Sequence, residues 1–332
     1  MYSQGGTCMN KKKLLPLCIL AGVVVVLALI LAMLTLFGGD AEEDAGIPLF
    51  SVSADALDTI AYQDGDTDVA LTKGDDGVWT LDSDTLLPID QTVVEELAAN
   101  ITGMTALREL GDDADVDSMG FATPEMSISF TSGSDSYTMT VGDQNSMTDS
   151  YYARLGDDGP VYTVSISDLS SLCKTPKQLY QSQDITEIES SDVTAMTLDT
   201  GSETLSFTLT DETWVLDDDP EYELDQDTVK RMVNTICSLE SDWSITHPGS
   251  DSEYGLDTPN AIVTVTAEDG STVRCVFGTT SAEDSEVAYM TASTADGVVY
   301  EINSNHLTAF AYTKDTLKAE TPETAEESSD SE

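Results

Sequence analysis

The sequence predicts an α+β fold: a single N-terminal transmembrane helix, then two tandem repeats, each a mostly antiparallel β-sheet packed with one main helix. Three observations predict it. Residues 14–37, "LLPLCILAGVVVVLALILAMLTLF", are a 24-residue run without charge. The chain matches itself at a shift of 135 residues, so that Trp79 falls on Trp214 and Pro124 on Pro259. Within each copy, runs of period two surround one segment of helical period.

The apolar run makes a helix of about 36 Å, enough to cross a hydrocarbon core of about 30 Å with some tilt. Lys11, Lys12 and Lys13 precede it directly and "GGDAEEDAG" follows. That asymmetry predicts residues 1–13 in the cytoplasm, a helix over 14–37, an acidic tether over 38–48 and everything after it outside the cell. A cleaved signal would have an apolar region of about 7–15 residues and a small-x-small site. Here the run is longer and "TLFGG" is a poor site. A lipidated Cys18 would need a small residue before it, and Leu17 stands there.

Residues 1–37 hold three of the 13 Lys+Arg and none of the 62 Asp+Glu. The remainder sets 10 basic against 62 acidic residues, a formal charge of −52. Such a surface repels phosphates and argues against nucleic acid as a partner. It attracts divalent cations weakly, without a dedicated site. The end of the chain, 313–332, reads as a disordered acidic tail. The length between tether and tail predicts two domains, repeat domain 1 over 49–176 and repeat domain 2 over 177–312.

Each copy begins with alternating strands, "LDTIAY" (57–62) and "VTAMTL" (193–198), followed by a second strand and then one bearing Trp79 or Trp214. "KGDDG" (73–77) supplies a hairpin signal in the first copy. Asp90 and Asp225 are natural N-caps for the helix that follows. Val94, Leu97, Ala98, Ile101 and Met104 recur at helical spacing, matched by Val229, Met232, Val233, Ile236 and Leu239. Next come "SMGFATP" (118–124) and "EYGLDTP" (253–259), where Gly permits a turn and Pro favours an extended chain before it. Asp257 of the second faces Ala122 in the first, so the heptad reads as a structural joint.

Two period-two strands follow each joint. Met126, Ile128 and Phe130 share one face, as do Ala261, Val263 and Val265. The returning strands offer Tyr137, Met139 and Val141, or Val273, Cys275 and Phe277. Two more strands end at "VY" (161–162 and 299–300), and short apolar helices follow near 167–173 and 304–312. "TPKQLY" (175–180) is a helix start between the copies.

With the anchor, the Trp strand, the Asp-Gln helix start, "YGLDTP" and the closing "VY", residues 49–312 resemble the bacterial domain-of-unknown-function 4340 family. The first copy departs from the pattern, with Met119, Phe121 and Ala122 in place of Tyr, Leu and Asp. The resemblance carries no catalytic residues. It implies an accessory role beside an ABC-type transporter, because genes of similar proteins often neighbour those of transporter subunits.

The residues themselves offer little chemistry. Asp64, Asp66 and Asp68 alternate as in a calcium loop, but Val69 takes its Gly position and Asp75 its Glu position. Asp113, Asp115 and Asp117 fail similarly, with Ser118 and Pro124. His247 and His306 are far apart, with no nucleophile elbow and no Walker lysine nearby. Of the five cysteines, Cys8 falls in the cytoplasm and Cys18 in the membrane, while Cys173, Cys237 and Cys275 form neither a CxxC pair nor a disulfide framework. A Cys237–Cys275 bridge requires helix and strand to touch. Trp79 and Trp214 are core anchors by their equivalent places, whereas Trp243 has no counterpart and is the candidate for an exposed contact. No catalytic, cofactor-binding or metal-ligating residue is assigned and no cofactor is expected. The expected function is a non-enzymatic, single-pass cell-surface component of an ABC-type transporter complex. The alternative is a cation-dependent adhesin or cell-wall binding module.

Overall fold

A computed structural model describes residues 46–319, except 112, 113 and 146. The expected anchor at 14–37, the cytoplasmic stretch 1–13, most of the tether and residues 320–332 lie outside the described residues. No helix among the described residues is long and apolar enough to cross a membrane.

Two antiparallel sheets carry the molecule, with few helices. The first contains β1 (Ile47–Pro48), β2 (Thr59–Asp64), β3 (Thr67–Lys73), β4 (Trp79–Leu81), β5 (Thr105–Glu109), β6 (Met126–Ser132), β7 (Asp135–Asn145), β8 (Ser150–Leu155) and β9 (Val161–Ser165). The second contains β10 (Val193–Asp199), β11 (Thr204–Thr210), β12 (Thr213–Leu216), β13 (Trp243–Ile245), β14 (Ala261–Ala267), β15 (Thr272–Thr280), β16 (Val287–Ala292) and β17 (Val299–Asn303). The first sheet runs β1-β5-β9-β8-β7-β6-β2-β3-β4, and the second, read from its β13 edge, runs β13-β17-β16-β15-β14-β10-β11-β12. The orders coincide element by element once β1 is set aside. Even β1 has a remnant: Pro48 pairs with Thr105, and Asp184 bridges Glu240.

The period-two readings hold on both returning hairpins. Ile128, Phe130, Met139 and Val141 are buried in the first sheet, as are Val263, Val265, Cys275 and Phe277 in the second. The "VY" pairs open the last strands rather than closing them. β5 and β13 escape the period-two reading because "TALRE" and "WSI" are too short and too irregular to alternate.

One helix of 12 residues packs on each sheet, α1 (Gln91–Thr102) and α2 (Gln226–Cys237). Asp90 accepts from the Thr92 and Val93 N–H groups, and Asp225 from those of Asp227 and Thr228. These are the first-turn donors that lack helical partners. The apolar stripes face inward: Val94, Leu97, Ala98 and Ile101 belong to one core, and Val229, Met232, Val233 and Ile236 to a second.

Each core is closed by a segment that returns to the helix start. The Asp90 N–H donates to the Leu179 carbonyl at 2.8 Å and the Asp225 N–H to that of Leu317 at 2.8 Å. Leu179 and Leu317 are both fully buried. This return moves both expected boundaries. The helix Pro176–Leu179 stays with the first core, so that unit continues past 176. Residues 313–319, assigned to the tail by composition, are folded onto the second core through Leu317.

The units meet through Trp243. It is half-buried, packs against the core of the first unit and lies 5.2 Å from the Tyr180 ring, centroid to centroid. The Tyr180 hydroxyl pairs with those of Ser241 and Ser244, each at 2.7 Å. Lys177 Nζ approaches Glu301 at 3.2 Å, and the Thr246 hydroxyl donates to Asp84. Trp243 is therefore an internal wedge and not the exposed contact expected of a residue without counterpart. Trp243→Ala should cost about 2 kcal/mol, below the 3–5 typical of a fully buried aromatic. It should also split calorimetric unfolding into two transitions; one transition at unchanged temperature would show that the wedge does not couple the units.

Candidate functional site

The duplicated motifs are occupied by the fold. In the joint, Gly255 has φ +69° and Gly120 φ +82°, a region that side chains rarely enter. Each joint presses on a strand glycine: the Thr279 N–H donates to the Tyr254 carbonyl at 2.8 Å, and Asp143 does the same to Met119 at 2.8 Å. Asp257 points away, exposed. The Asp-Gln pair is equally structural. Asp225 caps, and Thr228, through its hydroxyl and N–H, holds the Asp225 carboxyl below the usual range. Gln226 accepts from the Trp214 N–H and donates to the Trp214 carbonyl, both at 2.8 Å. Gln91 makes the same two bonds to Trp79, at 2.8 and 3.1 Å. Both tryptophans are core anchors, 2% and 4% exposed.

Potentially reactive side chains are dispersed. Burial pushes the Cys275 thiol up to about 12 and that of Cys173 to about 12, the latter helped by a hydrogen bond with Asp64. Burial and the nearby Glu189 raise Cys237 to about 11. At neutral pH these are thiols rather than nucleophilic thiolates. Cys237 and Cys275 are free, so the bridge allowed by sequence is not formed. His247 is exposed and 3.9 Å from Asp84 at the contact between units. Burial lowers the pKa of His306, opposed by Asp242. Asp64 and Asp68 fall on the two arms of the β2–β3 hairpin. Asp113 lies outside the described residues. No group of three or more metal-binding side chains gathers among the described residues.

What the second unit has, and sequence reading missed, is a cavity of about 890 Å³. It opens between the segment 183–192 and the ends of β14, β15 and β16. Its buried lining is Ile185, Thr186, Ala267, Val273 and Tyr300. Its exposed rim carries five carboxylates, Asp184, Glu187, Asp192, Glu268 and Asp269. The Thr294 hydroxyl donates to the Ile185 carbonyl at 2.9 Å and ties one wall to the other.

The first unit shows why this space is open. There Phe50, Phe130 and Tyr137 fill the same place, with ring centroids 4.9 Å apart for Phe50–Phe130 and 4.8 Å for Phe130–Tyr137. The registers fix the equivalences. Leu49 N–H donates to Met104 O and Ile185 N–H to Leu239 O, so Thr186 stands for Phe50. Phe130 pairs with Tyr137 as Val265 pairs with Val273. Three aromatic rings have become Thr and two Val. The signal was present in the sequence, as a loss of aromatic residues between copies.

Comparison with known proteins adds a family. The profile of a domain of unknown function, DUF4340, matches residues 79–213 and again 214–328. The two matches begin at Trp79 and Trp214, so each runs out of phase with the sheets. The first takes in β10 and β11 of the second sheet. No curated protein and no solved structure matches the chain significantly.

Proposed function

The chain belongs to the DUF4340 family of domains of unknown function, and from that premise we propose that it is a non-enzymatic interaction component of an ABC-type transporter complex. It is anchored by residues 14–37, with its amino terminus in the cytoplasm and the two units outside the cell. The apolar run behind three lysines, and the −52 charge beyond it, support that orientation.

One observation carries the binding role: the second unit keeps an open, acid-rimmed cavity where the first is packed solid with aromatic rings. A duplicated scaffold with one filled and one open copy fits a component that presents a surface. The reactive groups fit the same reading, since the three thiols of the two units are held as thiols by burial. Co-purification of the full chain from its native membrane in mild detergent tests the assembly. Transporter subunits should be recovered with it. Their absence, where the transporter itself remains intact, would overturn the proposal.

A further inference from the structure

The cavity in the second unit differs from an ordinary surface hollow in three ways. It opens where Thr186 and Val273 stand for Phe50 and Tyr137 of the first unit, in a core otherwise built to the same plan. Among its lining residues, Tyr300 is only 6% exposed, and among the described residues its hydroxyl has no hydrogen-bond partner. That hydroxyl is also not sealed away, because the one fully enclosed side-chain polar atom without a partner among the described residues is Arg154 Nε. A buried phenol ordinarily finds a partner, so Tyr300 offers the cavity an unused oxygen.

The rim sets the charge of the occupant. Asp184, Glu187, Asp192, Glu268 and Asp269 make no ion pair among the described residues, and Asp269 is held by Ser271 through its hydroxyl and its N–H, the latter at 2.8 Å. Several like charges around a hollow focus a negative potential into it. Anions are repelled and neutral molecules gain nothing from the rim. The lining between rim and phenol, Ile185, Ala267 and Val273, suits an aliphatic stem.

We propose that this cavity binds a small organic cation, an alkylammonium with its stem on the apolar lining, one ammonium at the carboxylate rim and a donor group reaching Tyr300. The ammonium N–H groups donate to the carboxylates and to the phenol oxygen, and each buried methylene adds about fourfold in affinity. The inference rests on reading the second unit as the binding unit, but not on the transporter as partner.

The test uses the full chain in nonionic detergent and titrates 1,5-diaminopentane by calorimetry at physiological salt. 1,5-Pentanediol and glutarate serve as the neutral and anionic isosteres. The diamine should bind saturably with one site per chain, and neither isostere should. Thr186→Phe with Val273→Tyr restores the bulk of the first unit, leaves every carboxylate in place and should weaken binding at least tenfold. Tyr300→Phe removes one oxygen and no volume, and should weaken binding about threefold to tenfold, the value of one hydrogen bond. Heat without saturation, equal binding of the diol, or unchanged affinity in the refilled variant would reduce the effect to screening by the acidic surface and overturn the proposal. Should the refilled variant fail to fold, Tyr300→Phe decides alone, and unchanged affinity there overturns it. Failure here with transporter subunits still co-purifying would leave the assembly standing without this ligand.

Discussion

Gly278→Ala is expected to destabilise the second unit by about 3 kcal/mol, at the upper end for an added methyl in a packed site. A Cβ at this position would overlap the carbonyl oxygen of Tyr254 and come within 3.3 Å of Leu256 Cδ2. The carbonyl cannot swing away cheaply, because it is backbone, held at 2.8 Å by the Thr279 N–H. The joint must lift off the strand, and its hydrogen bond is lost with it. Gly142→Ala should do the same to the first unit, because the Met119 carbonyl stands where its Cβ would go. Urea titration of each variant is the measurement, and a loss under about 1 kcal/mol would show that the joint gives way without strain.

The second large effect is expected at Gln226. Its side-chain amide closes both the N–H and the C=O of Trp214. Gln226→Ala leaves those two groups without partners at a part-buried position, and each such group costs about 1–3 kcal/mol. Partial access to water places the sum at about 2–3 kcal/mol. Gln226→Glu keeps the acceptor and loses the donor, so it should fall between wild type and alanine. Hydrogen exchange at the Trp214 amide gives a direct reading, and protection unchanged in the alanine variant would refute the clamp.

Much of this architecture is written locally. Asp90 and Asp225 cap because short carboxylates reach the free N–H groups of a first turn, and the stripes of α1 and α2 repeat the helical period. Ile128 and Phe130, or Val263 and Val265, alternate because one face of each sheet is buried. β5 and β13 carry no such signal, since strands of three to five residues have too few side chains to show a period. Trp243 misled for a related reason: without a counterpart in the first copy it looked free, yet its partner is the other copy's core. The cavity was legible only in pairs. Thr186, Val265 and Val273 are unremarkable singly and become informative against Phe50, Phe130 and Tyr137, where Phe50 lies far from the other two in sequence and beside them in space.

The glutamine clamp also bears on how this molecule can meet other chains. β4 and β12 are the outermost strands of their sheets, and an outermost strand normally offers its free N–H and C=O groups to any extended segment that drifts past. Here those groups are already taken. Gln91 and Gln226 occupy the outward pair at Trp79 and Trp214, and the next outward carbonyls, Leu81 and Leu216, accept from the N–H groups of Asp84 and Asp219, both at 3.1 Å. Strand addition is closed at both of these borders. Recruitment there cannot proceed by backbone zippering, and neither of these two borders offers a template for fibrous growth.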